Sequence, residues 1–167
     1  MKTQLLITCL VIGSYVACAQ DGGERGKDKD AKIKTKTVMD IKIKPKKEIQ
    51  FYFTDKEHFD NGILEEAVTE IKVKANVNWQ IHVNSSNEYF EDADGNQMPV
   101  NIFSIAKSGE QLQPLSYNPP PQPVATGTVG NDKKETNTFD LDYFADPGYG
   151  YAPGVYRVDL VYTISAQ

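Results

Sequence analysis

The sequence is poor in the residues that usually carry chemistry. Its two cysteines, Cys9 and Cys18, both fall in the first twenty residues. The remainder therefore has neither a disulfide nor a thiol nucleophile, and an ordinary core must stabilise it. Histidine occurs twice, as His58 and His82. There is no Gly-x-Ser-x-Gly elbow, no His-Glu-x-x-His pair and no phosphate-binding glycine loop. No second long apolar run follows the N-terminal one. These absences argue against an enzyme, and against any metal or cofactor held by a recognisable motif.

A length of 167 residues suits one domain, and 40% hydrophobic residues suffice for one core. The net charge of −5 is unevenly spread. Residues 21–47 carry ten basic and five acidic groups, whereas everything from Glu48 onward carries seven basic and eighteen acidic groups. An acidic body does not suit a nucleic-acid backbone. The basic stretch reads as a solvated tether, or as a partner for an anionic surface.

The N-terminus reads as an export signal. Lys2 is followed by an uncharged run from Leu5 to Val16, too short for a stable membrane anchor. Ala17-Cys18-Ala19 then presents small residues before Gln20, the pattern a signal peptidase cuts. The alternative is lipidation at Cys18, since Val16-Ala17-Cys18 resembles a lipoprotein box; only that route ties the protein to a membrane. The expected organisation is a signal peptide over 1–19, a flexible charged linker over 20–30 and one domain over 31–167. The expected location is the periplasm, the cell surface or the extracellular space.

Beyond the linker the dominant period is two. Ile33, Met39, Ile41 and Ile43 alternate with lysines up to Pro45, as in an edge strand guarded by charge. Ile49, Phe51 and Phe53 repeat the alternation. From Ile71 to Val83 every odd residue is apolar, Ala75 and Trp79 included. As one strand, the stretch from Ala67 to Asn84 would reach roughly 60 Å at about 3.3 Å per residue. A domain of this size is only roughly 35–40 Å across. The run must break, and Asn76 and Asn78 are the turn formers available. Two strands are expected, about 68–75 and 78–84. Further strands are expected at Val100 to Ala106, Thr138 to Phe144 and Val155 to Ser165.

Asp94-Gly95 predicts a tight turn. Five prolines between Pro114 and Pro123 exclude a central strand there. With polar residues 127–137, that stretch predicts a long crossing between sheets. A single short helix is expected over Phe59 to Ala67. The fold class is therefore all-β, an Ig-like Greek-key β-sandwich of seven to eight strands. Trp79, Ile81, Tyr156, Leu160, Tyr162 and Ile164 are its expected core.

Four constellations merit testing as sites. His58 lies among Asp55, Glu57 and Asp60, a set expected to be a solvated loop rather than a metal site. Asp92-Ala93-Asp94-Gly95-Asn96 lacks calcium-loop spacing, because glycine is fourth and not sixth, and reads as a hairpin turn. Asp140 and Asp142 share one strand face, as chance pairs do in an acidic chain. The stretch from Tyr143 to Tyr156 concentrates tyrosine and glycine, which reads either as rings packed over the end of the sandwich, as Tyr156 in the inner set of its strand suggests, or as an adaptable binding surface. Tyr143, Tyr149 and Tyr151 are its candidate ligand-binding residues.

Asn78-Trp79-Gln80-Ile81-His82-Val83 and the C-terminal run from Ala152 to Gln167, ending Tyr-Thr-Ile-Ser-Ala-Gln, resemble secreted sandwich domains of the WxL and spore-coat-U-like types. The signal and the Gln/Asp start are similar to those of secreted proteins of Bacteroidetes-type bacteria. Trp79-Gln80-Ile81 and Tyr162-Thr163-Ile164 stand where that pattern has Trp-x-Leu twice, and both depart from it. The resemblance implies the sandwich fold, export and structural roles for the matching residues.

The functional expectation is an exported, non-catalytic structural or adhesion-type protein, with surface glycans or other surface proteins as partners. One alternative is a module binding carbohydrate or cell-wall glycan through the tyrosine loop. Another is a fimbria-like subunit in which residues 31–44 donate a strand to a neighbour. No cofactor is expected.

Overall fold

The computed structural model describes residues 3–11, 33–117 and 122–167. The expected linker, 20–30, lies outside them. The described residues form an all-β sandwich, as the alternation predicts. Twelve strands run in chain order as β1 (Thr3–Val11), β2 (Met39–Pro45), β3 (Gln50–Phe53), β4 (Ile63–Ala75), β5 (Trp79–Ser85), β6 (Tyr89–Glu91), β7 (Gln97–Pro99), β8 (Phe103–Lys107), β9 (Gln113–Pro114), β10 (Gln122–Gly127), β11 (Thr138–Ala145) and β12 (Val155–Ala166). One helical turn, α1 (Lys56–Asn61), and two 3-10 turns at Val100–Ile102 and Glu135–Asn137 interrupt them.

One sheet has the order β10-β5-β12-β1-β3, with the β6–β7 hairpin joined at β12. The other has the order β2-β4-β11-β8-β9. The chain crosses between layers from β9 to β10, back to β11 and again to β12, which gives the sandwich its Greek-key character. The proline-rich stretch contributes only to sheet ends, β9 and β10, where a missing N–H costs least. β2 lies at the other end of its sheet, and its exposed Lys42 and Lys44 guard that edge against further pairing.

The core follows from the alternation. Trp79, Ile81, Leu160 and Tyr162 are fully buried, Tyr156 nearly so, and Ile164 packs half-buried at the margin. Phe103 joins the layers: its ring meets Phe51 edge-on at 5.8 Å, Phe90 at 6.0 Å and Tyr143 in a stack at 5.7 Å. Trp79 stacks on Phe139 of the opposite sheet. A Cβ on Gly127 would fall inside the Trp79 indole, so only glycine lets β10 pass over that ring.

Three boundaries differ from the sequence reading. The helix occupies Lys56–Asn61, not Phe59 to Ala67, because Gly62 at φ +71° ends it and Ile63 begins β4. β4 therefore starts five residues earlier than expected. Its period of two is broken by a bulge: Glu65 faces Tyr143 and Thr69 faces Leu141, with Ala67 at φ +50° between them. The expected strand from Val100 opens as a 3-10 turn, and β8 begins at Phe103. The strand count also exceeds seven to eight. Three of the twelve are two or three residues long, and β1 comes from the segment read as an export signal.

Candidate functional site

Each cluster of chemistry-bearing residues has a local structural task. Asp142 sits in the bulge between β4 and β11. Its Oδ1 accepts the Ala67 N–H at 2.8 Å and the Ser108 hydroxyl. That carboxylate holds the left-handed Ala67 in place. Asp140 pairs instead with Lys46 at 2.7 Å. The two aspartates share no common ligand point.

Asp92 is consumed by its own turn. Its Oδ1 accepts the N–H groups of Asp94 at 2.9 Å and Asn96 at 2.8 Å, and its Oδ2 accepts the Asn96 side-chain N–H. Gly95 at φ +81° completes the reversal between β6 and β7. The Asn96 side-chain bond, with backbone N–H donors, holds the Asp92 carboxyl below its ordinary range.

His58 lies on α1 with its Nδ1 3.9 Å from Asp55. Asp60 turns away to accept the Tyr149 hydroxyl at 2.9 Å. Among the described residues, no three His, Cys, Asp or Glu side chains converge as a metal site would require.

The tyrosine loop divides into three. Tyr143 is not a surface residue and cannot meet a ligand from solvent. It is fully buried, its hydroxyl donates to Thr69 Oγ1 at 3.0 Å, and it shares a 2.8 Å bond with the Tyr162 hydroxyl. Position in β11, with odd residues inward, carries it to the core. Tyr151 packs half-buried against the core. Tyr149 is 64% exposed, yet its ring stacks on Phe59 at 5.4 Å and 25°. Partial desolvation and the Asp60 carboxylate raise its pKa. Tyr156 fastens the loop by donating to the Ala152 carbonyl at 2.8 Å. The outcome is one rigid, exposed aromatic face on α1 rather than a three-tyrosine surface.

The largest departure lies at the N-terminus. β1 runs between β12 and β3. It pairs parallel with β12 from Gln4↔Val155 to Val11↔Tyr162, and antiparallel with β3 from Thr3↔Phe53 to Leu6↔Gln50. Among the described residues β3 pairs with no other strand. In register, Leu5, Ile7, Cys9 and Val11 stand opposite Tyr156, Val158, Leu160 and Tyr162, all of them buried. Residues 5–11 are apolar at every position but Thr8, so no alternation marks a strand there, and an uncharged run near a terminus reads first as an export segment.

The basic arm also differs from its expectation. Residues 33–38 carry no regular structure and are exposed, with Ile33 at 87% and Val38 at 56%. Asn76 holds the arm's end, accepting the Val38 N–H at 2.8 Å and donating to the Lys36 carbonyl at 2.6 Å. From Met39 onward the chain is committed to β2, hydrogen-bonded along β4.

A shallow depression of about 270 Å³ lies beside Glu88, Val100, Leu115 and Tyr117, with Glu88 its sole carboxylate. Among the described residues no helix is long and apolar enough to cross a membrane. No protein-family model matches this chain, and no similar curated protein is found.

Proposed function

We propose that this chain is an exported, non-catalytic structural or adhesion-type protein of the periplasm, cell surface or extracellular space, working by assembly through its β-sheet. One observation carries the reading. Thr3–Val11, whose sequence reads as part of a cleavable signal, occupies an interior strand position. Cleavage before Gln20 takes that strand away. It removes the strand that pairs with β12 over eight positions and with β3 over four. Open strand edges of that kind attract another strand. The carboxylates that acid–base chemistry would need are spent on a bulge, a turn and ion pairs, which favours binding over turnover.

The test is the N-terminus and size of the protein recovered from the cell envelope or medium. A chain beginning at Gln20, found in a complex larger than a monomer, is expected. A chain beginning at a lipidated Cys18 would keep the assembly reading and place it on a membrane. A monomeric chain retaining Met1 inside the cell would overturn it.

A second reading, glycan binding, draws on the Tyr149 face. An exposed ring immobilised on Phe59, beside a carboxylate, is a platform on which a sugar could stack. A glycan array comparing the native protein with a Tyr149→Ala, Tyr151→Ala double variant decides it. A sugar signal lost in the variant supports this reading, and the same pattern in both removes it.

A further inference from the structure

We infer that the mature sheet takes into the β3–β12 slot an extended segment of a separate exported protein, apolar at alternate positions and running parallel to β12. The inference rests on the export reading above and names the partner that reading requires.

The slot's dimensions and chemistry are given by the strand it holds here. β1 matches β12 over eight residues and β3 over four. Its sequence places Leu5, Ile7, Cys9 and Val11 at the register positions opposite the inward-facing residues of β12. At Leu5 the register also meets Phe51 of β3. β3 is anchored independently of β1, because Phe51 packs on Phe103 of the opposite sheet and Phe53 on Phe59 of α1. The slot is therefore bounded on both sides by anchored strands. Replacing its strand restores two rows of backbone hydrogen bonds and covers an apolar floor at once.

The chain's own arm is a poor occupant. Between Gln20 and Val38 the apolar residues are Ala31, Ile33 and Val38 alone. No register of that stretch sets four apolar side chains at alternate positions. Its last residues are already held at Asn76, beside the other sheet. A second copy offers the same arm and no better match. The remaining alternating stretches of a second copy are built into its own sheets. The partner is accordingly another protein with a segment that is apolar at the four register positions Leu5, Ile7, Cys9 and Val11 hold here. Outward positions refine the match. Leu6 and Thr8 stand opposite Arg157 and Asp159, so an acidic residue at the first and a basic one at the second would pair across the strands.

The experiment begins with the folded full chain carrying an engineered protease site at Gly22-Gly23. After cutting, three labelled synthetic peptides are offered: residues 2–12 of this chain, the same peptide with Ile7→Lys and Cys9→Lys, and residues 29–38. Native mass spectrometry reads incorporation, and hydrogen exchange reads protection at Val155–Tyr162. The 2–12 peptide should exchange into the cut protein. The doubly substituted peptide should bind at least about tenfold more weakly, since it sets two charges at register positions opposite the buried Val158 and Leu160. The arm peptide should not enter. Equal uptake of the arm peptide would make a second copy the occupant and overturn the separate-partner inference. A cut protein that sheds its N-terminal piece, takes up no peptide and keeps β3 and β12 equally protected would overturn the slot itself. Failure of export is read separately, as retention of Met1 by the native protein. Because cutting follows folding, poor refolding of a truncated chain does not blur the result.

Discussion

The five-stranded sheet draws every strand from residues 39–145 and pairs them all antiparallel, whereas the seven-stranded sheet takes its centre from the two ends of the chain. There β1 meets β12 in the sandwich's one parallel pairing among the described residues, joining Gln4 to Val155. The first sheet closes without either end of the chain, although its β4–β11 pairing already joins distant segments. The second waits for the last strand to be made, and pairs it with the first. Loop-closure entropy makes such distant pairing slow and costly. A strand so placed is the one most readily exchanged for another, whichever chain supplies it. The comparison teaches that one layer is self-sufficient and the other is complete only while its central slot is filled.

The strongest way to break the comparison is Trp79→Ala. The indole is fully buried between β10 and Phe139, and its loss should cost about 3–5 kcal/mol. Denaturant unfolding measures it, with the seven-stranded sheet losing exchange protection first. Uniform loss across both sheets would count against separable layers. Next in size is Gly127→Ala, where a methyl has no room beside that ring; about 1–3 kcal/mol of destabilisation is expected. An unchanged melting temperature would show that β10 moves freely away.

Tyr143→Phe sharpens the comparison by weakening the polar tie between layers. The Tyr143 hydroxyl on β11 bonds Tyr162 on β12 and Thr69 on β4. Its removal should cost about 1–2 kcal/mol, with the ring contacts retained. Tyr162→Phe should be partly redundant with it in a double-mutant cycle, and full additivity would deny the link.

The smallest effect is confined to the β6–β7 hairpin. Asp92 is held in its ionised form by the Asn96 side chain and by backbone N–H groups, so its folded pKa lies below the ordinary 3.8. A depressed carboxyl adds stability above the unfolded pKa and loses it as pH falls through the folded value. The hairpin should thus loosen only in strong acid. An NMR titration of Asp92 with its midpoint at or above 3.8 would refute this.

Much of the architecture was legible because a half-buried strand writes its orientation at every second residue. The alternation of β2, β5 and β12, the break at Asn76 and Asn78 and the turn at Asp94-Gly95 all appear where the sequence places them. What escaped obeys other rules. The bulge at Ala67 needs a carboxylate, Asp142, that lies 75 residues away, which no local pattern reveals. The helix boundary depended on the positive φ of Gly62. The tyrosine loop looked like one surface because sequence proximity does not show that Tyr143 lies inside β11 and points to the core, whereas Tyr149 lies in the turn beyond the strand and stays exposed. Residues 3–11 read as an uncharged export-like run, apolar at odd and even positions alike, and only the register against β12 discloses the strand.

Hydrogen exchange on the chain with and without residues 1–19 tests the account most directly. With the N-terminal strand absent and no partner supplied, amides of Gln50–Phe53 and Val155–Tyr162 should exchange roughly tenfold faster or more, while β4 and β11 keep their protection. Unaltered protection along β3 and β12 would contradict it, because the sheet would then be whole without the strand that now lies at its centre.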